Sequence, residues 1–167
     1  MKFFKLFTLV FVSVFISATA VSQNLSLNVL TQNSGVININ GTVFLEVTIC
    51  NTNSSIAVPA YKLKPQISFP FQLVSIPDTG HILPAGWAII FNKDGVVRLS
   101  NGDDEFLPNQ CRSLLIAVKG KETGGPSTIS ATLNFSNGIA PGTASGGPTK
   151  GDNPADNSST STIKVYR

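Results

Sequence analysis

Apolar and polar residues alternate along most of this chain with a period of two. Val43, Leu45, Val47 and Ile49 form one row, and Phe44, Glu46, Thr48 and Cys50 form the other. Such alternation predicts a strand with one buried face. Leu25, Leu27 and Val29 predict an earlier strand, and Val36 to Ile39 follows the Asn33-Ser34-Gly35 turn. Leu114, Ile116 and Val118 form another inward row, as do Ile129, Ala131, Leu133 and Phe135. At the end, Ile163 and Val165 face inward while Lys164 and Tyr166 face outward. Tyr61 to Phe69 reads as a strand that Pro65 confines to an edge or a bulge. Trp87 to Phe91 and Val96 to Ser100 flank a four-residue turn, Asn92-Lys93-Asp94-Gly95. About 7–8 short strands without intervening helices predict an all-β, two-sheet antiparallel sandwich.

The N-terminal 22 residues follow a different pattern. Lys2 and Lys5 make a positive head, Leu6 to Ile16 is an apolar run, and Ser17 to Ser22 are mostly small. This is the layout of a Sec-type signal peptide, with cleavage expected after Ala20 or Ser22. The apolar run is shorter than the roughly 20 residues that cross a bilayer. The expected product is one domain, residues 23–167, secreted to the exterior or the periplasm. No cysteine stands at the cleavage site, so no lipid anchor and no membrane insertion are expected once the leader is gone. A stretch rich in Gly, Pro, Ala and Ser, residues 137–159, predicts a flexible loop before the last strand.

Charge narrows the partners. The full chain has 12 basic and 9 acidic residues, but Lys2 and Lys5 belong to the leader, which leaves about +1. Lys62 and Lys64 alternate on a strand, as a solvated face does. A nucleic-acid partner, which needs clustered Lys and Arg, is therefore not expected.

Two cysteines remain in an exported chain, and parity pairs them. Cys50 ends its strand on the outward row, and Cys111 begins another with the same outward parity. If those strands are antiparallel neighbours, the two ends meet on one face and a Cys50–Cys111 disulfide forms.

Three segments resemble the conserved-repeat surface domain of bacteria. They are Gly41 to Thr52, an alternating strand ending in an Asn-Thr turn; Leu83-Pro84-Ala85-Gly86-Trp87; and Gly151 to Thr160, with its Asp-x-Asn-Pro and Asn-Ser pieces. The leader and composition are similar in style to secreted Bacteroidetes proteins. The resemblance implies an immunoglobulin-like sandwich with an adhesive or spacer role. This chain differs in carrying the cysteine pair, and a single copy that ends on its own last strand without a sorting segment is expected.

Catalytic chemistry finds little support. His81 is the one histidine, and no nucleophile elbow accompanies it. Gly124-Gly125 and Gly146-Gly147 each precede Pro and read as turns, not phosphate loops. Too few ligands remain for zinc. Calcium is the one cofactor with candidate ligands: Asp103, Asp104 and Glu105 in one loop, Asp152 and Asp156 in another, neither with a known calcium spacing. Trp87 and Tyr61 are the candidate ligand-binding aromatics, although a core position suits Trp87 better. The five Asn-x-Ser/Thr sequons, beginning at Asn24, Asn40, Asn53, Asn134 and Asn157, are ordinary for so polar a chain. The sequence thus points to a non-enzymatic interaction module at the cell surface, its partner a surface protein or a glycan. A carbohydrate-binding protein and a pilus-like subunit that exchanges a terminal strand are the alternatives.

Overall fold

The inward row of Val43, Leu45, Val47 and Ile49 is the centre of one sheet, and all four side chains are buried. The computed structural model describes residues 24–53, 55–136, 145–146 and 152–167. The expected leader lies outside the described residues, as do 137–144 and 147–151 of the expected loop. In chain order the described strands are β1 (Leu25–Thr31), β2 (Val36–Asn38), β3 (Thr42–Asn51), β4 (Leu63–Ser68), β5 (Val74–Ser75) and β6 (Ala88–Lys93). They continue with β7 (Val96–Ser100), β8 (Cys111–Gly120), β9 (Gly124–Ser136), β10 (Ser145–Gly146) and β11 (Ser158–Tyr166).

One sheet has the order β1-β3-β8-β5, the other β2-β11-β9-β4-β7-β6 with β10 beside β9. Period-two burial places Leu25, Leu27 and Val29 of β1 against Ile129, Ala131, Leu133 and Phe135 of β9 in a single core. The two-sheet sandwich is therefore as the alternation predicts. Three details differ. β2 runs parallel to β11. The two-residue strands β5 and β10 are too short to leave a periodic signature. The β6–β7 turn is tighter than expected, because Lys93 pairs with Val96 and only Asp94 and Gly95 form the loop. Both have positive φ, 52° and 77°, the type I′ geometry that matches strand twist.

Pro65 sits in an interior strand, not at an edge or a bulge, since β4 lies between β9 and β7. Leu63, two residues earlier, donates its N–H towards the β7 side, to Asn101 Oδ1 at 2.8 Å. By alternation the Pro65 nitrogen faces that side too, between the Asn101 N–H bond to the Leu63 carbonyl and the pairing of Gln66 with Arg98. The proline thus leaves one gap in an otherwise continuing ladder.

β3 and β8 pair antiparallel over their length, from Thr42 opposite Lys119 to Cys50 opposite Cys111. The next backbone bond, Asn51 N–H to the Gln110 carbonyl at 2.9 Å, makes Cys50 and Cys111 a non-hydrogen-bonded pair, the closer of the two antiparallel spacings. Their Cα atoms are 4.1 Å apart and a disulfide joins them on the outer face. The bridge spans a sequence separation of 61 residues, all of β4 to β7 included. Replacing both cysteines by alanine is expected to lower the unfolding free energy by about 4 kcal/mol, the chain-entropy value for such a loop. Urea unfolding of the two proteins measures it, and a loss under about 1 kcal/mol would contradict the constraint.

Candidate functional site

The disulfide end of the sandwich carries most of the polar chemistry expected from the sequence. Asn51 and Asn101 continue the inward rows of β3 and β7 and are fully buried. Buried amides cost free energy unless bonded. Asn51 Nδ2 donates to the carbonyls of Ile56, Phe106 and Leu107 at 2.8–3.3 Å. Asn101 accepts from Leu63 and donates to the carbonyls of Pro59 and Asp104. The two amides hold the 101–110 loop closed over the buried ring of Phe106.

That loop contains the first set of calcium candidates, and the structure commits two of them elsewhere. Asp104 accepts from Arg112 Nε at 2.9 Å and Nη2 at 3.1 Å, and from Trp87 Nε1 at 2.7 Å. The Arg112 guanidinium also lies over Phe106, 5.3 Å from the ring centre. Asp103 accepts the Tyr61 hydroxyl at 2.5 Å, and Glu105 is exposed. No group of three or more Asp, Glu, His or Cys side chains among the described residues is disposed to hold a metal. Of the three carboxylates, Asp103 and Asp104 are engaged by Tyr61, Trp87 and Arg112, and Glu105 is exposed. Asp104 balances a cation already, the guanidinium.

Trp87 is not a ligand platform. Gly86, at φ +78°, completes a turn closed by Trp87 N–H to the Pro84 carbonyl. A Cβ on Gly86 would meet the Asp104 backbone at 2.7 Å. The turn drives the indole into the core, where it is 6% exposed. Tyr61 is half-buried, and its phenol is held above its ordinary range first by the hydrogen bond to Asp103, then by burial and by the Asp103 charge.

His81 has a structural part. Its Nδ1 accepts the Ala117 N–H at 3.0 Å, and its Nε2 bonds the Pro77 carbonyl at 2.8 Å. The pair of bonds fits the neutral tautomer with the proton on Nε2. His81 thereby occupies the edge of β8 between the β5 pairing and the Ile82–Leu115 bridge. The edge of β1 is covered in the same manner. The N–H groups of Leu25, Val29 and Thr31 donate to Asp152 Oδ1, Ser159 Oγ and Ser161 Oγ at 2.9–3.1 Å.

The long edge of β6 has no such cover among the described residues. Ala88-Ile89-Ile90-Phe91 reads as a buried run, yet Ile90 is 52% and Phe91 39% exposed. A register shift between Ile89 and Phe91 turns Phe91 outward, beneath the Arg98 guanidinium at 5.0 Å. An open depression of about 300 Å³ lies here, lined by Asp78, His81, Ile89, Ile90, Phe91 and Asn92. A second of about 330 Å³ adjoins it at Asp78 and Asn92, with Phe71 and Lys121 among its walls. Ile82 and Phe71 are more than half exposed. No motif announced this surface; an apolar run beside a tight Asp-Gly hairpin is its one trace in the sequence.

No protein-family model matches the sequence, and no curated protein matches it. Solved structures do resemble the fold. One is the CARDB domain of a Pyrococcus furiosus protein in complex with di-metal ions (TM-score 0.50, 14% identity, 88% of this chain and 96% of that one). Another is a cohesin module from a Clostridium perfringens family 33 glycoside hydrolase (0.50, 10%, 87% and 98%). A third is a non-cellulosomal cohesin of Archaeoglobus fulgidus (0.50, 8%, 86% and 92%). The chain shares their β-sandwich fold. At such identities the likeness extends no further than the fold.

Two outcomes are expected. Replacing His81 by alanine leaves the Ala117 N–H without its acceptor and should cost about 1–3 kcal/mol in urea unfolding. In alkaline titration, one of the two tyrosines should ionise above the ordinary phenol range, and Asp103→Ala should return it to that range. The raised value favours the protonated phenol, so its contribution to stability is present below about pH 10 and lost as pH rises through the folded-state value. Coincident titration of both phenols in the unaltered protein would contradict the Tyr61–Asp103 bond.

Proposed function

We propose that this chain is an exported, non-enzymatic β-sandwich that binds a protein partner at the cell surface through the open side beside β6. The observation that carries the reading is the β6 edge, without cover among the described residues, with Ile90 and Phe91 exposed on it. Exposed apolar groups rimmed by Asp78, Asn92 and Lys93 have the make-up of an interaction surface. The sheet edge offers backbone groups to an extended segment. Export rests on the leader pattern, and membership of the conserved-repeat surface family on the three sequence segments. A binding role over a catalytic one is supported by His81, which has both ring nitrogens in backbone bonds.

Two alternatives have less support. Glycan stacking through Trp87 is blocked by its burial. Exchange of a terminal strand would need a free edge there, but β11 lies between β2 and β9, and β1 is capped. Mature protein should bind cells of its own source, and the double variant Ile90→Lys/Phe91→Lys should bind at least about tenfold more weakly. Protease treatment of the cells should abolish binding, while periodate should not. Binding lost with periodate and unchanged in the double variant would establish the glycan reading instead.

A further inference from the structure

The turn leading into β11 has acceptor atoms that no group among the described residues satisfies. Asn153 caps its single 3₁₀ turn, Pro154–Asp156, by accepting from Ala155 N–H at 3.2 Å. Asp152 is tied through Oδ1 to the Leu25 N–H at 2.9 Å, and its Oδ2 accepts from Asn157 Nδ2. Asn24 Oδ1 accepts the Asn153 N–H at 3.3 Å. The turn is thus stitched to the start of β1. Within it, Asp156 Oδ1 and Asn157 Oδ1 are shut off from solvent and have no hydrogen-bond partner among the described residues, and Asn157 as a whole is 7% exposed.

Two buried oxygens without donors are costly, the more so when one belongs to a carboxylate. Both are acceptors only, so the group that satisfies them must be a donor or a cation. Asp152 shares the turn and brings a second carboxylate, already linked to the Asn157 amide. Two carboxylates and an amide oxygen on a short turn make a hard, oxygen-only set of charge −2. Calcium takes such ligands from loops and completes its shell with water.

We propose that the Asp152–Asn157 turn binds a calcium-type divalent cation through the Asp152 carboxylate, Asp156 Oδ1 and Asn157 Oδ1. The ion clips the turn onto the first residues of β1, where Leu25 already depends on Asp152. Three protein side chains give a modest site, with a Kd on the order of 10⁻⁴–10⁻³ M, the range of extracellular modules. It uses Asp152 and Asp156 of the residues expected for calcium and excludes Asp103, Asp104 and Glu105.

The test is calcium titration of chelator-treated mature protein, followed by competition with a chromophoric chelator and by thermal melting. Calcium at tenfold excess over Kd should raise Tm by about 3–5 °C, and magnesium by less. Asp156→Asn should abolish the shift, and Asp103→Asn should leave it intact. The competition assay reads binding on the unaltered protein, so the proposal is decided even if Asp156→Asn does not fold. No binding and no shift at 10-fold above about 10⁻³ M calcium would overturn it, the two oxygens then being met by water. A shift lost in Asp103→Asn but kept in Asp156→Asn would overturn it as well, placing the ion in the other loop.

Discussion

An open sheet leaves a row of backbone N–H and C=O groups along each edge, and those groups need partners. How this sandwich meets that need organises much of the molecule. Along β1, Ser159 and Ser161 reach across from β11 to take the Val29 and Thr31 N–H groups, and Asp152 takes that of Leu25. Along β8, the β5 pairing, the His81 imidazole and the Ile82 bridge share the work. Both sides of the four-stranded sheet thus have part of their edge groups bonded. The polar residues that cover them are therefore structural, although Ser, His and Asp are also the residues from which catalysts are built. The β6 edge is the long one without such cover among the described residues, and apolar side chains gather there.

The disulfide end shows the same economy with side-chain polar groups. The chain leaves β3 at Asn51, passes through β4 to β7, and returns at Cys111 opposite Cys50. The bridge fixes the two ends of that excursion, while Asn51 and Asn101 fix the loops within it. Asp104 neutralises Arg112 and takes the Trp87 N–H. With Asp103 also taking the Tyr61 hydroxyl, two of the loop's three carboxylates are drawn into a polar knot. The turn at Asp152 to Asn157 is the opposite case, where two acceptors remain after the local bonds are made.

Some of this was legible in the sequence, residue by residue. The outward parity of Cys50 and Cys111 carries their pairing, because a period of two fixes which face each side chain takes. Asn51 and Asn101 stand at inward positions of their rows, and a polar residue there is a readable sign of a buried hydrogen-bonding role. By contrast, β11 begins at Ser158 inside the expected flexible loop, because its first half packs through serine hydroxyls and shows no apolar row. His81 could not be read, since its partner Ala117 lies 36 residues away and is reached only through backbone geometry.

The sequence by itself determined the local conformations: which segments extend, which faces turn inward, where the chain must turn within Asn92 to Gly95, and which cysteines could meet. These follow from side-chain periodicity and backbone sterics over a few residues. Tertiary structure alone decided the order of strands within each sheet. That order made β4 interior and left Pro65 facing a gap in the ladder. It also placed Ile89-Ile90-Phe91, a run that would suit a buried strand, at an open edge. Strand order depends on contacts between residues far apart in sequence, and period-two alternation is the same in a central strand and an edge strand.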